Sequence, residues 1–222
     1  MKVAEISLTD LVDVGRWKVE IFTDDNSQDM SSKWPMVSIS ELADCSNLAM
    51  EPADYPTEQF FYVGLENVES ISGDPIDLRK KRKHEIKSRC KVFKEDCILY
   101  GRLRPYLRKV FLPHGDCREG LCSTEFIVLK PLRDKIHPQV LRALLASEVM
   151  ATQFARLQIG AALPRVSSHD FFRVKIPLPP MKVQQKMIQQ LETLQNERLE
   201  LKERLLALPT MFDGIVSKHA FG

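Results

Sequence analysis

The residues in this sequence that come closest to a catalytic set are Asp74, Asp77 and the triplet Glu85-Ile86-Lys87. Their order resembles the acid-x-Lys core of metal-dependent nucleases, where carboxylates hold Mg²⁺ and a lysine helps activate water. The triplet, however, lies inside RKKRKHEIKSRCK (79–91), which holds eight basic residues and one acid. In such a run a carboxylate next to a lysine arises from composition alone, and no apolar strand pattern presents it. Other chemistries have less support. No Gly-x-Gly-x-x-Gly turn, phosphate loop or Gly-x-Ser-x-Gly elbow occurs. The histidines, His84, His114, His137, His169 and His219, are scattered. The cysteines Cys45, Cys90, Cys97, Cys117 and Cys122 include no C-x-x-C pair, so they read as reduced structural thiols and not as a zinc site. The expectation is a non-catalytic protein without a metal or cofactor. A small Mg²⁺ nuclease using Asp74, Asp77, Glu85 and Lys87 stands as the enzymatic alternative.

Charge says more about the ligand. The chain has 222 residues and a net charge of +2, but the sign is partitioned. Residues 1–78 carry 4 basic and 16 acidic side chains, residues 79–109 carry 13 and 3, and residues 110–222 carry 15 and 11. A block of net +10 beside one of net −12 points to a polyanion partner. The candidate contacts are Lys80, Lys81, Arg82, Lys83, Lys87 and Arg89 in the first basic run, and Arg102, Arg104, Arg108 and Lys109 in YGRLRPYLRK (100–109). Arginine offers a planar fork for guanine or phosphate and lysine a mobile point charge, while Tyr100 and Tyr106 supply aromatic surface. The structural alternative for Arg102 and Arg104 is pairing with strand carboxylates; for the run 79–91 it is a solvated loop.

The elements that must position these residues can be read from periodicity. Residues 1–33 form an arm and a polar loop. Short β-like segments follow: QFFYVGLENV (59–68), KVF (91–93), CILYGRL (97–103), YLRKVFL (106–112) and LCSTEFIVLKPL (121–132), separated by Gly and Pro. The run 79–91 reads as a loop leading into a strand. HPQVLRALLASEVMATQFARLQ (137–158) reads as one helix, with Pro138 at its first position and Gly160 at its end. The last section shows strict four-three spacing at Met187, Leu191, Leu194, Arg198, Leu201, Leu205, Leu208, Phe212 and Ile215, all apolar except Arg198. That is a heptad seam, narrower than the stripe of a helix lying on a core. Pro209 is expected to break or kink the helix near Leu208, leaving a rod of about 40 Å from Lys182. The fold class is α+β: a mainly β domain at 34–180 with flanking helices, then a coiled-coil-type helix region at 181–222.

Several of these segments together resemble the target-recognition module of type I restriction-modification specificity subunits. FFYVGLENV (60–68), CILYGRLRPYLRKV (97–110), STEFIVLKP (123–131) and LALPTMFDGIVSKHAFG at the tail are similar to that family in order and spacing. The best match is GAALPRVSSHDFFRVKIPLPPMKVQQKMIQQLE (160–192), a Gly- and Pro-containing loop, a short helix, then glutamines opening a long helix. The resemblance implies a domain that reads a few base pairs of double-stranded DNA, followed by a spacer helix. It places catalysis in partners, an adenine-N6 methyltransferase subunit and an ATP-driven restriction subunit. Family members carry two recognition domains and two long helices; this sequence has one of each.

A helix with a narrow seam needs a partner helix, and no other segment has comparable length and heptad character. A homodimer through Met187, Leu191, Leu194, Leu201, Leu205 and Leu208, paired antiparallel, would set two identical domains about one DNA turn apart and read a palindromic bipartite target. A different half-subunit, or the remainder of a longer gene, is the alternative occupant. Gln184 and Gln185 are candidates for docking the methyltransferase, against a simply solvated face. No apolar run approaches the roughly 18 residues of a membrane span, and no secretory signal is visible, so a cytoplasmic location is expected. A third reading is a coiled-coil adaptor whose β domain binds protein and not DNA.

Overall fold

The computed structural model describes residues 32–160 and 162–221. The arm and most of the loop read at 1–33 lie outside them. The chain divides into two compact units, with the boundary between Pro179 and Pro180.

The first unit contains eleven short strands among its described residues. They are β1 Met36–Ser38, β2 Ala43–Ser46, β3 Ala49–Met50, β4 Gln59–Val63, β5 Lys80–Arg82, β6 Cys90–Phe93, β7 Ile98–Gly101, β8 Val110–Phe111, β9 Gly120–Cys122, β10 Phe126–Pro131 and β11 Lys175–Pro177. Three helices separate β10 from β11: α1 Pro138–Leu145, α2 Glu148–Arg156 and α3 Ser168–Arg173. β3, β6, β9, β4 and β5 form a five-stranded sheet in that order, antiparallel except for the parallel pair β4–β9. β2, β10, β7 and β8 form a second, antiparallel sheet, and β1 pairs with β11.

Side-chain alternation explains why two sheets pack. Val63, Phe93, Leu99, Phe111, Cys122, Phe126 and Val128 point into one shared cluster, all fully buried. Phe60, Cys90 and Leu121 occupy the opposite face of the five-stranded sheet. β10 is central, between β2 and β7, and Phe126, Ile127, Val128 and Leu129 are all buried, as expected for a strand covered on both faces. On the far face of β7, Tyr100 meets Phe154 of α2 and Phe171 of α3 at ring-centroid distances of 5.0 and 4.6 Å. The parallel pair needs a glycine: a Cβ on Gly120 would lie 2.2 Å from the Phe61 carbonyl oxygen.

Local chemistry alters three expectations. The segment 137–158 is two helices, not one, because Ser147 caps the second: its hydroxyl donates to the Leu144 carbonyl and accepts from the Met150 N–H. The second helix ends at Arg156, and Gly160, at φ +96°, belongs to the loop beyond it. The run 79–91 is not a loop throughout. It holds β5, a 3-10 turn at Lys83–Glu85 and the start of β6.

The second unit is dominated by α4, Met181–Val216, 36 residues and about 54 Å at 1.5 Å per residue. Pro209 lies inside it, so the expected break near Leu208 does not occur. The helix there is exposed on every side, and the one hydrogen bond that proline removes leaves the Leu205 carbonyl on an open surface. No helix among the described residues is long and apolar enough to cross a membrane.

Candidate nucleic-acid interface

Four of the ten basic candidates lie on one loop. β7 ends at Gly101, and Arg102, Arg104, Arg108 and Lys109 follow before β8 begins at Val110. The loop is held by a tight device. A 3-10 turn at Pro105–Leu107 is flanked by Arg104 and Arg108, both left-handed at φ 50° and 52°. Non-glycine residues adopt this region at a cost of order 1 kcal/mol each, which surrounding contacts must offset. Here those contacts are visible. The Arg104 N–H donates to the Pro164 carbonyl (2.8 Å), the Val166 N–H to the Arg102 carbonyl (3.1 Å), and the Arg108 N–H to the Pro105 carbonyl (3.0 Å). Leu103 and Ile159 each bridge to Arg165. The Gly/Pro loop at 159–166 thus braces the arginine loop. Arg104 and Tyr106 are exposed at its surface, Tyr106 at 53 %.

The ten cations are not equally available. Lys109 Nζ donates to the Leu65 carbonyl at 2.7 Å, a structural role. Lys80, Lys81 and Arg82 form β5, the edge strand beside β4. Lys80 stands over the Phe61 ring at 5.6 Å, Lys81 reaches Glu85 at 4.0 Å, and Lys83 Nζ donates to the Ala53 carbonyl at 3.0 Å. Lysines on a sheet edge also keep that edge from pairing with other strands. Arg82, Lys87 and Arg89 are exposed. Arg102 and Arg104 make no ion pair among the described residues, so the expected alternative of pairing with strand carboxylates is not seen; Glu125, beside them, is bound in a fork by Arg165.

Arg165 and Glu125 were legible only as separate residues, 40 positions apart, and Lys91 only as the last charge of the basic run. Register brings Lys91 and Glu125 to the arginine loop. Phe126 pairs with Gly101 and Lys91 with Cys122, so Lys91, Arg102 and Glu125 share one end of the strands.

The nuclease set does not assemble. Glu85 accepts the Arg82 N–H at 2.7 Å, and that bond, with Lys81 nearby, holds its carboxyl below the usual range. Asp74 is buried in the turn where its carbonyl accepts the Glu69 N–H, and Asp77 sits at φ 43°. Among the described residues no three His, Cys, Asp or Glu side chains form a group that could hold a metal ion. The five cysteines are free thiols and all but Cys45 are buried; burial pushes Cys90 up to about 11 and Cys117 to about 12.

On α4 the seam residues Leu194, Leu201, Leu205 and Leu208 are exposed, and Met187 and Leu191 are half-buried. Gln185 is exposed, but Gln184 is 1 % exposed and so is not available on an outward face.

The first unit thus carries a braced basic loop on its sheets, and a long seam-bearing helix follows in the second. Residues 3–208 match the family model described as the type I restriction modification DNA specificity domain, and the chain belongs to that family. Over 163 residues it is 23 % identical to the type I restriction enzyme EcoDI specificity subunit of Escherichia coli, covering 73 % of this chain and 35 % of that one. Among solved structures, the HsdS subunit of Thermoanaerobacter tengcongensis is similar at 26 % identity and a TM-score of 0.65, over 82 % of this chain and 47 % of that one. A structure from work on complex assembly and conformational transition of the type I R-M system is similar at 25 % identity and a TM-score of 0.66, with the same coverage. The S subunit from M. genitalium shares the fold, at 17 % identity and a TM-score of 0.52. The chain spans about half the length of these solved chains and about a third of the curated relative.

Proposed function

We propose that the first unit binds double-stranded DNA and reads one half of a bipartite target. The observation that carries this reading is the braced loop 102–109, which presents Arg102, Arg104 and Arg108 without carboxylate partners among the described residues. Family membership supports it. In this reading the chain is a non-catalytic, cytoplasmic subunit. It directs a partner adenine-N6 methyltransferase and, for cleavage, a partner restriction subunit. Lys80, Lys81, Arg82, Lys83, Lys87 and Arg89 add long-range attraction more than base contacts, because half of them already have protein partners.

The apolar seam of α4 takes the helix of a second copy, antiparallel, in an isologous pair. Identical domains at the two ends then require a palindromic target. Selection from a randomised duplex library by the purified chain tests both halves of the proposal. An enriched sequence with two inverted half-sites is expected; no enrichment at low salt overturns the DNA reading. Light scattering tests the pairing: Leu201→Glu should shift a dimer to monomer, and a wild-type chain that stays monomeric at all concentrations overturns it.

A further inference from the structure

The apolar seam of α4 is interrupted by one charge, Arg198, and that residue bears on how two copies can pair. In a parallel pair of identical helices each seam residue faces its own counterpart. Two Arg198 guanidiniums would then meet inside the seam, where like charges repel and water is excluded. In an antiparallel pair the two kinds of seam position face each other instead. Arg198 then lies opposite the partner's Leu201, and its stem can cover that leucine while the charge reaches water. The neighbouring layers set Leu194 on the partner's Leu205 and Leu191 on the partner's Leu208.

The residues that flank the seam separate this register from its neighbours. Glu197 precedes Arg198 and Arg204 precedes Leu205, and both are exposed. In an antiparallel pair this flank of one helix runs along the same flank of the other. In the register just given, Glu197 faces the partner's Arg204, and two-fold symmetry makes the contact twice. A slide of one heptad keeps mostly apolar layers but not the charge match. In one direction Glu197 faces the partner's Glu197. In the other, Arg204 faces the partner's Arg204 and Lys202 faces the partner's Lys202. A larger slide leaves either Leu191 and Leu194 or Leu205 and Leu208 with nothing opposite. Apolar area therefore favours pairing, and charge selects a single alignment.

We propose that Glu197, Arg198 and Arg204 form a self-recognition code: α4 takes a second copy of this chain in one antiparallel register, with Glu197 on the partner's Arg204. This rests on the pairing proposed above and adds what selects the partner. A helix of similar apolar spacing that lacks the matching charges, such as that of a different half-subunit, is discriminated against by like-charge contacts.

The test uses the full chain and sedimentation velocity. Arg204→Glu and Glu197→Arg should each weaken the dimer about tenfold, since two exposed pairs turn from attractive to repulsive. An equal mixture of the two single variants should dimerise as tightly as the parent, because each then meets its complement twice. That rescue excludes a folding defect as the cause of the single losses. The register is read by disulfide mapping, for which α4 is suited because it contains no native cysteine. Leu194→Cys mixed with Leu205→Cys should cross-link on oxidation. Leu191→Cys with Leu201→Cys, or Leu201→Cys with Leu205→Cys, should not, as these report the two slid registers. If the parent dimerises but the single variants bind as it does, or a slid pair cross-links instead, the code fails while the pairing stands. A parent chain that stays monomeric at all concentrations overturns both.

Discussion

Arg165 grips Glu125 through two nitrogens, Nε at 3.0 Å and Nη2 at 2.7 Å, although 40 residues separate them. This fork joins the turn before β10 to the loop at 159–166, and that loop in turn holds Arg102 and Arg104 by their backbones. Glu125→Gln should loosen the brace without unfolding the domain. Amide exchange at Ile159 and Arg165 is expected to quicken several-fold while β7 and β10 stay protected. Unchanged exchange in the loop would show that the fork does not hold it.

The aromatic triad behind β7 should dominate stability. Phe171 is fully buried against Tyr100 and Phe154 at 4.6 and 5.0 Å. Phe171→Ala is expected to cost about 3–5 kcal/mol, by loss of transfer free energy plus the cavity left behind. Urea unfolding with an unchanged m-value measures it.

Gly120→Ala tests the parallel strand pair. The added methyl would stand 2.2 Å from the Phe61 carbonyl oxygen, so β4 and β9 must separate. A loss of about 1–3 kcal/mol is expected, in line with other overpacked sites. A variant as stable as the parent would mean that the register in this sheet differs.

Alkaline pH should destabilise the fold through its buried thiols. Burial raises Cys90 to about 11 and Cys117 to about 12 from an ordinary 9.0. Above pH 9 the unfolded chain releases protons that the folded chain keeps, so ν_U falls below ν_N and stability declines with pH. The contribution is complete below pH 9 and is lost as pH rises to 11–12. Urea midpoints at pH 8 and pH 10.5 should differ, and by less in Cys117→Ala. At neutral pH a thiol reagent should label Cys45 before the four buried cysteines.

Much of the organisation was legible along the chain because it depends on local periodicity. The heptad seam appears in the spacing of Met187 to Ile215, and α4 follows it. The aromatic and β-branched run at 59–63 and the apolar run at 126–131 mark strands that the fold contains. Periodicity misleads where a single contact outweighs it. The hydroxyl of Ser147 divides a helix that hydrophobic spacing would run straight through. Lys80–Arg82 form a strand because β4 offers its edge, although their charges read as a loop. Pro209 leaves α4 unbroken because the freed carbonyl lies on an exposed stretch.

The candidate site divides in the same way. Sequence alone identified the block of positive charge, the arginines Arg102, Arg104 and Arg108 within it and the helix that follows, since charge and period are properties of residue order. That 102–109 is a loop, where 97–103 and 106–112 read as β-like segments, only the structure decided. Whether each cation is spent or available was decided only by the tertiary structure. Lys109 is consumed by the Leu65 carbonyl, Lys83 by that of Ala53, and Glu125 by Arg165, through contacts spanning 44, 30 and 40 positions. A hydrogen bond acts over about 3 Å and takes no account of distance along the chain. Strand register brings such partners together, so Arg102 and Arg104 emerge without carboxylate partners among the described residues only once the sheets are in place.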